Sequence, residues 1–169
     1  DYFASGKLPL VGIDAAATHA ACVIAAARAG GDLVIHIRHE FARPDAPFFV
    51  AGSPGAQIHA SVQPAEGETV IVKNYPNSFR DTALKQTLDT KGIEDVVIVG
   101  AMSHMCIDAT ARAAADFGYK ATVVHDACAT RDLAFGGVNV AAAQVHAAFM
   151  AALGSSYGTL VSTEDYLSR

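Results

Sequence analysis

The stretch VGAMSHMCIDATARAAADFGY, Val99 to Tyr119, carries an apolar strand end into a glycine and, across a short turn, into a helix that opens with a cysteine. The first turn of a helix has unpaired N–H groups and a partial positive charge, and both favour a thiolate. A core cysteine needs no such setting, although burial as a small hydrophobe is what most cysteines do. In open α/β sheets ligands bind beyond the carboxyl ends of the strands, and Cys106 belongs at such an end.

The same alternation repeats outward from this stretch. β-rich runs occur at DLVIHIR (32–38), TVIVK (69–73), DVVIVG (95–100), KATVVHD (120–126) and GTLVS (158–162). Between them lie the helical stretches AAATHAACVIAAARAG (15–30), FRDTALKQTLDTKG (79–92), CIDATARAAADFG (106–118) and VNVAAAQVHAAFMAALG (138–154). Gly30, Gly92 and Gly118 each read as the residue just past a helix. The strands are continuous Val/Ile runs, which suits a parallel sheet covered on both faces. The pattern predicts a three-layer α/β/α fold with right-handed crossovers. Residues 39–68 break the alternation with prolines and glycines, and so long an excursion inside a compact domain is usually functional.

At 169 residues the chain reads as one domain, 1–169, large enough to bury a full core. Apolar residues are 51% and charged residues 17%, the balance of a globular protein rather than a disordered one. No apolar run approaches the ~20 residues that span a bilayer, and no signal peptide is seen. A net charge of −5 without a basic cluster argues against nucleic acid or an anionic membrane as partner. Three widely spread cysteines make neither a disulfide framework nor a CxxC zinc site, and a reducing cytoplasm is the default. The chain opens at Asp1 without a methionine, so more sequence is expected upstream.

A nucleophile needs a base or a positive neighbour, and an oxyanion needs donors. Lys73 closes the strand VIVK before NYPNSF, so it either ends a strand in solvent or stands beside a thiolate. Spacing alone does not bring it to Cys106.

VIVKNYPNSF with Lys73, GAMSHMCIDATARAA with Cys106, and VVHDACATRD after it resemble the isochorismatase-like cysteine hydrolase family, over essentially the whole chain. The resemblance implies a doubly wound, mostly parallel six-stranded sheet whose first strand is central. The opening DYFASGKLPL is similar to the family's segment just after that first strand, with Asp1 as the second aspartate of the family's motif. The first aspartate, the catalytic one, is then expected four positions before Asp1, at the end of an upstream apolar strand. The resemblance further implies an Asp–Lys–Cys triad, a cis peptide at Ala101–Met102, and an oxyanion hole from the N–H groups of Met102 and Cys106. Members commonly form dimers or larger assemblies, so a homo-oligomer is expected; the apolar helix 138–154 is one possible interface.

The family's nicotinamidases bind a metal through Asp-x-His and a further histidine. Here the first place reads IRHEF (37–41) and the later one APFFVAGSPG, so no metal and no cofactor is expected. His36 and His39, three apart on a strand, face opposite sides, and His59 matches a recurrent family histidine that is not a ligand. Phe48, Phe49, Tyr75, Phe79 and His104 are candidates for the substrate pocket, each equally readable as core or turn, as is Met105. Cys22 reads as core, Cys128 as a remote candidate for redox pairing with Cys106, and Asp126 as a brace at a strand end. The reading is a metal-independent cysteine hydrolase acting on a C–N bond of a small amide, carbamoyl or ureido substrate. Its rivals are vinyl-ether hydrolysis of the isochorismatase type and a non-catalytic thiol-sensing or binding module.

Overall fold

The computed structural model describes residues 1–169. In chain order its elements are α1 (Ile13–Gly30), β1 (Ile35–His39), β2 (Thr69–Lys73), α2 (Leu84–Thr90), β3 (Asp95–Ala101), α3 (Asp108–Asp116), β4 (Lys120–Ala129), β5 (Leu133–Phe135), β6 (Val138–Val140), α4 (Ala142–Ser156), β7 (Thr159–Val161) and α5 (Thr163–Leu167). A π-helical turn, Ser103–Ile107, leads into α3.

β1 and β2 run parallel, from Ile35 opposite Thr69 to His39 opposite Lys73. β4 lies between β3 and β7 and is parallel to both. On one face α1 and α5 pack on β4, burying Ala20, Val23, Val124, Ala127 and Val161 together. On the other, α3 and α4 close over Ile107, Ala111, Val123, Met150 and Leu153, and α2 adds Leu84 and Leu88 beside Ile71 and Tyr119. The alanines of α1 and α3 let those helices approach the sheet closely. This is the three-layer α/β/α arrangement expected from the strand–helix alternation.

The five parallel strands form a pair and a triplet rather than one continuous sheet. β1 bonds only to β2 and β3 only to β4, so their other edges flank an apolar groove of about 520 Å³. Ile35, Ile37, Val97 and Val99 line it, with Val23 of α1 and Leu88 of α2 on its walls.

Several boundaries differ from the sequence reading for local reasons. α1 is closed by Gly31 (φ 76°), not Gly30, with the Gly31 N–H on the Arg28 carbonyl at 3.2 Å. α2 starts at Leu84 because Asp81 has a left-handed φ of 54° and interrupts any earlier helix. Val138–Val140 is a strand, not the start of α4: its β-branched residues pair antiparallel with Leu133–Phe135 across Gly136 and Gly137. α4 then begins where Asp132 Oδ1 accepts the Ala142 N–H at 2.8 Å. Cys22 is exposed, since α1 packs through Ala16, Ala17, Ala20 and Val23.

Leu153 is 0% exposed and packs among Ile107, Ala111, Val123 and Met150. Leu153→Ala is expected to cost about 3–4 kcal/mol, since truncating a buried leucine loses transfer energy and leaves a cavity. Chemical denaturation checks this by the shift in midpoint at unchanged slope.

Candidate active site

β2 ends at Lys73 and β3 at Ala101, so both chemistry-bearing segments finish at carboxyl ends of parallel strands. Lys73 is only 3% exposed, which removes the reading of a solvated strand end. Its Nζ donates to the Pro76 carbonyl at 2.5 Å. Cys106 is half-buried, and both residues line one cavity of about 540 Å³.

The segment between β3 and α3 explains the glycine that opens this stretch. Gly100 has φ 126°, a conformation that residues with a Cβ rarely adopt. The next bond, Ala101–Met102, is cis. Met102 is buried among Leu10, Ala16 and Ala129, and its carbonyl accepts the N–H groups of Met105 (3.0 Å) and Ile107 (3.2 Å). Cys106 therefore sits inside a helical turn that precedes α3, one turn beyond Met102, rather than at the first residue of α3.

Tyr2, His39, Phe49 and His59 complete much of the cavity wall. Phe49 has a left-handed φ of 50°, and its N–H donates to Asp1 Oδ2 at 2.7 Å. Its ring meets Tyr2 edge-on at 4.7 Å and lies 5.8 Å from His39. Burial pushes the Tyr2 phenol up, with Cys106 adding to the effect and Arg131 opposing it, so Tyr2 stays protonated. Burial and the neighbouring Lys73 push His39 down to about 4, so its imidazole is neutral at neutral pH. The excursion that carries Phe49 and His59 is anchored at its far end by Glu68. That carboxylate takes Arg28 Nε and Nη2 (2.7 and 2.8 Å), His36 Nε2 (2.8 Å) and the Ala65 N–H (2.7 Å). The Arg28 bonds come first in holding it well below the usual carboxylate range.

Phe48, Tyr75 and His104 do not line this cavity. Phe48 packs on Phe41 at 5.3 Å, and the Arg80 guanidinium covers the Tyr75 ring at 3.7 Å. Phe79 is core, stacked on Tyr119 at 5.9 Å, and lines the groove between the two strand groups, which Lys73 and Cys106 also line. His104 turns away to bond Thr130 Oγ1 through Nδ1 at 2.5 Å, against Phe149. Met105 is exposed. Cys128 is buried in the core, where burial pushes its thiol up to about 12, an unreactive setting for a redox partner. Asp126 Oδ1 accepts the Thr163 N–H and hydroxyl at 2.8 and 2.7 Å and so caps α5.

The donors a metal ion needs do not converge here. His36 is committed to Glu68, and His59 bonds Ser61 Oγ at 2.9 Å while its ring stacks on Phe3. No three His, Cys, Asp or Glu side chains form a common site. Two wall residues escaped the sequence reading. Tyr2 carried a signal in its position beside Asp1. His39 was legible only through strand register, because it lies directly opposite Lys73.

Comparison with known proteins bears on what this cavity belongs to. The solved structure of an isochorismatase-family hydrolase from Oleispira antarctica is 53% identical, with a TM-score of 0.96 over 99% of this chain and 90% of that one. The uncharacterized isochorismatase family protein YddQ of Bacillus subtilis is 46% identical over 99% of this chain and 93% of its own length. The maleamate amidohydrolase of Pseudomonas putida is 29% identical over 94% of this chain and 76% of its own. No helix is long and apolar enough to cross a membrane. With the isochorismatase domain model matching residues 1–165, from the Tyr2 wall through Lys73 and Cys106 to α5, the chain belongs to the isochorismatase family of hydrolases.

Proposed function

We propose that this chain is a metal-independent cysteine hydrolase that cleaves the C–N bond of a small amide, carbamoyl or ureido compound. The observation that carries the reading is the sharing of one cavity by Cys106 and a buried Lys73. The amide chemistry named for the maleamate amidohydrolase relative supports the bond type. The Cys106 sulfur attacks the carbonyl carbon, forming a C–S bond and pushing the C=O electron pair onto oxygen. The N–H groups of Met102 and Cys106 are assigned to that oxyanion. Collapse of the adduct breaks the C–N bond, and the leaving nitrogen takes a proton. Water then hydrolyses the thioester to a carboxylic acid and regenerates the thiol.

Lys73 supplies the positive charge that favours thiolate. The proton acceptor implied by the family resemblance is the aspartate four positions before Asp1. Asp1 is poorly placed to substitute, because its carboxylate oxygens already accept the N–H groups of Lys7 (3.1 Å) and Phe49 (2.7 Å). A reducing compartment such as the cytoplasm suits a free catalytic thiol, and we include homo-oligomer formation in the proposal.

The test is a screen of small primary amides, carbamoyl compounds and ureas, with acid quenching and intact-mass measurement of the protein. Turnover with an acyl adduct on the Cys106 peptide supports the proposal. Turnover with no such adduct and no dependence on Cys106 defeats it. Activity is also expected to survive exhaustive chelation. Loss that returns on adding zinc, iron or manganese would redirect attention to His36, His39 and His59 as ligands.

A further inference from the structure

The turn carrying Cys106 is held from behind by a polar contact inside an otherwise apolar interface. Met150 and Leu153 of α4 pack on Ile107 and Ala111, which flank the nucleophile turn and open α3. At one end of that contact stands Ser103, the first residue of the turn, 0% exposed. Its Oγ lies 2.8 Å from Nδ1 of His146 on α4 and 3.3 Å from the Ala129 carbonyl. A hydroxyl has one proton. Both contacts are satisfied together when Ser103 donates to Ala129 and accepts from His146 Nδ1–H, which assigns that tautomer. Burial and His125 hold the His146 imidazole down, so it is neutral at neutral pH. The next residue of the turn is also tied, by His104 Nδ1 to Thr130 Oγ1, with the His104 ring against Phe149 of α4. His146 and Phe149 are three apart and share one face of α4.

An apolar pair would fill the same space without the cost of burying two polar groups. What the pair adds is direction: a hydrogen bond fixes where Ser103 sits to within a few tenths of an ångström, three residues before the nucleophile. We infer that His146 is a positioning residue that acts through Ser103 to fix the turn carrying Cys106. This rests on the reading of Cys106 as nucleophile.

The protein's three free cysteines, Cys106, exposed Cys22 and buried Cys128, supply the test. Iodoacetamide labelling, resolved by peptide mass, reads site geometry at Cys106, intrinsic exposed reactivity at Cys22 and opening of the core at Cys128. In the unmodified protein Cys106 is expected to react faster than Cys22; if it does not, the nucleophile reading fails. His146→Phe keeps the ring volume and removes the bond. It is expected to slow Cys106 labelling and lower kcat by roughly tenfold, with KM little changed and Cys128 still protected, since small misplacements of reacting groups have large effects on rate. His146→Asn, which retains a donor near the Nδ1 position, should return the rates to within about twofold. Ser103→Ala should slow Cys106 as His146→Phe does, and the double variant should be no slower than either single one. Fast Cys106 labelling in both the unmodified protein and His146→Phe overturns the positioning role alone. So does a His146→Phe loss accompanied by labelling of Cys128, because that is general unfolding.

Discussion

Cys106→Ala is expected to abolish turnover, by at least about a thousandfold, while leaving the fold intact. Removing a covalent nucleophile takes away the reaction path itself, and comparable knockouts in hydrolases lose several orders of magnitude. The stability side is small for three separate reasons. Cys106 is half-buried rather than core. Alanine has the best intrinsic helix propensity, so the turn from Ser103 into α3 loses nothing. The surrounding contacts of Ile107 and Ala111 with α4 remain. Single-turnover kinetics and a denaturation midpoint, measured on the same preparation, separate these effects. A variant that keeps more than a few per cent of the rate removes Cys106 from the chemistry. A variant that loses activity and several kcal/mol together leaves a structural role as the simpler account.

How much of the fold was legible in the sequence depends on how local each signal is. Val/Ile runs bounded by turn residues located all five parallel strands, because a strand buried on both faces must be apolar along its length. Lys73 and Cys106 stood out by their places at strand ends. The hairpin at 133–140 was missed because VNV adjoins an alanine-rich stretch, and only pairing with Leu133–Phe135 decides between strand and helix. Asp81 concealed the start of α2, since its left-handed φ carries no composition signal. Side-chain destinations were the least legible. Phe49 reaches the cavity through an unusual backbone conformation braced by Asp1, while its neighbour Phe48 points to Phe41. His39 matters because of what lies on the adjacent strand, and His146 because of a residue 43 positions away. Non-local contacts of this kind have no periodic trace in a chain.

Lys73→Met is expected to lower turnover by about a hundredfold and slow alkylation of Cys106 at neutral pH, yet leave stability unchanged or raised. The opposite signs come from one fact, the burial of a cationic side chain to 3% exposure. Its ammonium donates to the Pro76 carbonyl, a neutral acceptor. Moving an ammonium out of water costs several kcal/mol unless a good partner compensates it, and replacing a buried ion by an apolar group of like volume is often neutral or stabilising. Methionine is unbranched and flexible enough to follow the lysine stem past Ile71 and His39. Lys73 lines the cavity that also holds Cys106. On the proposed mechanism its loss removes the positive neighbour of the nucleophile, so iodoacetamide should react more slowly with Cys106 at pH 7. Cys22 is the internal control, since it lies on the exposed face of α1. If Lys73→Met instead lowers the denaturation midpoint sharply while Cys106 alkylation keeps its rate, Lys73 is a structural strand end. The cavity would then have to activate its thiol by other means, with Tyr2 and His39 the next residues to substitute.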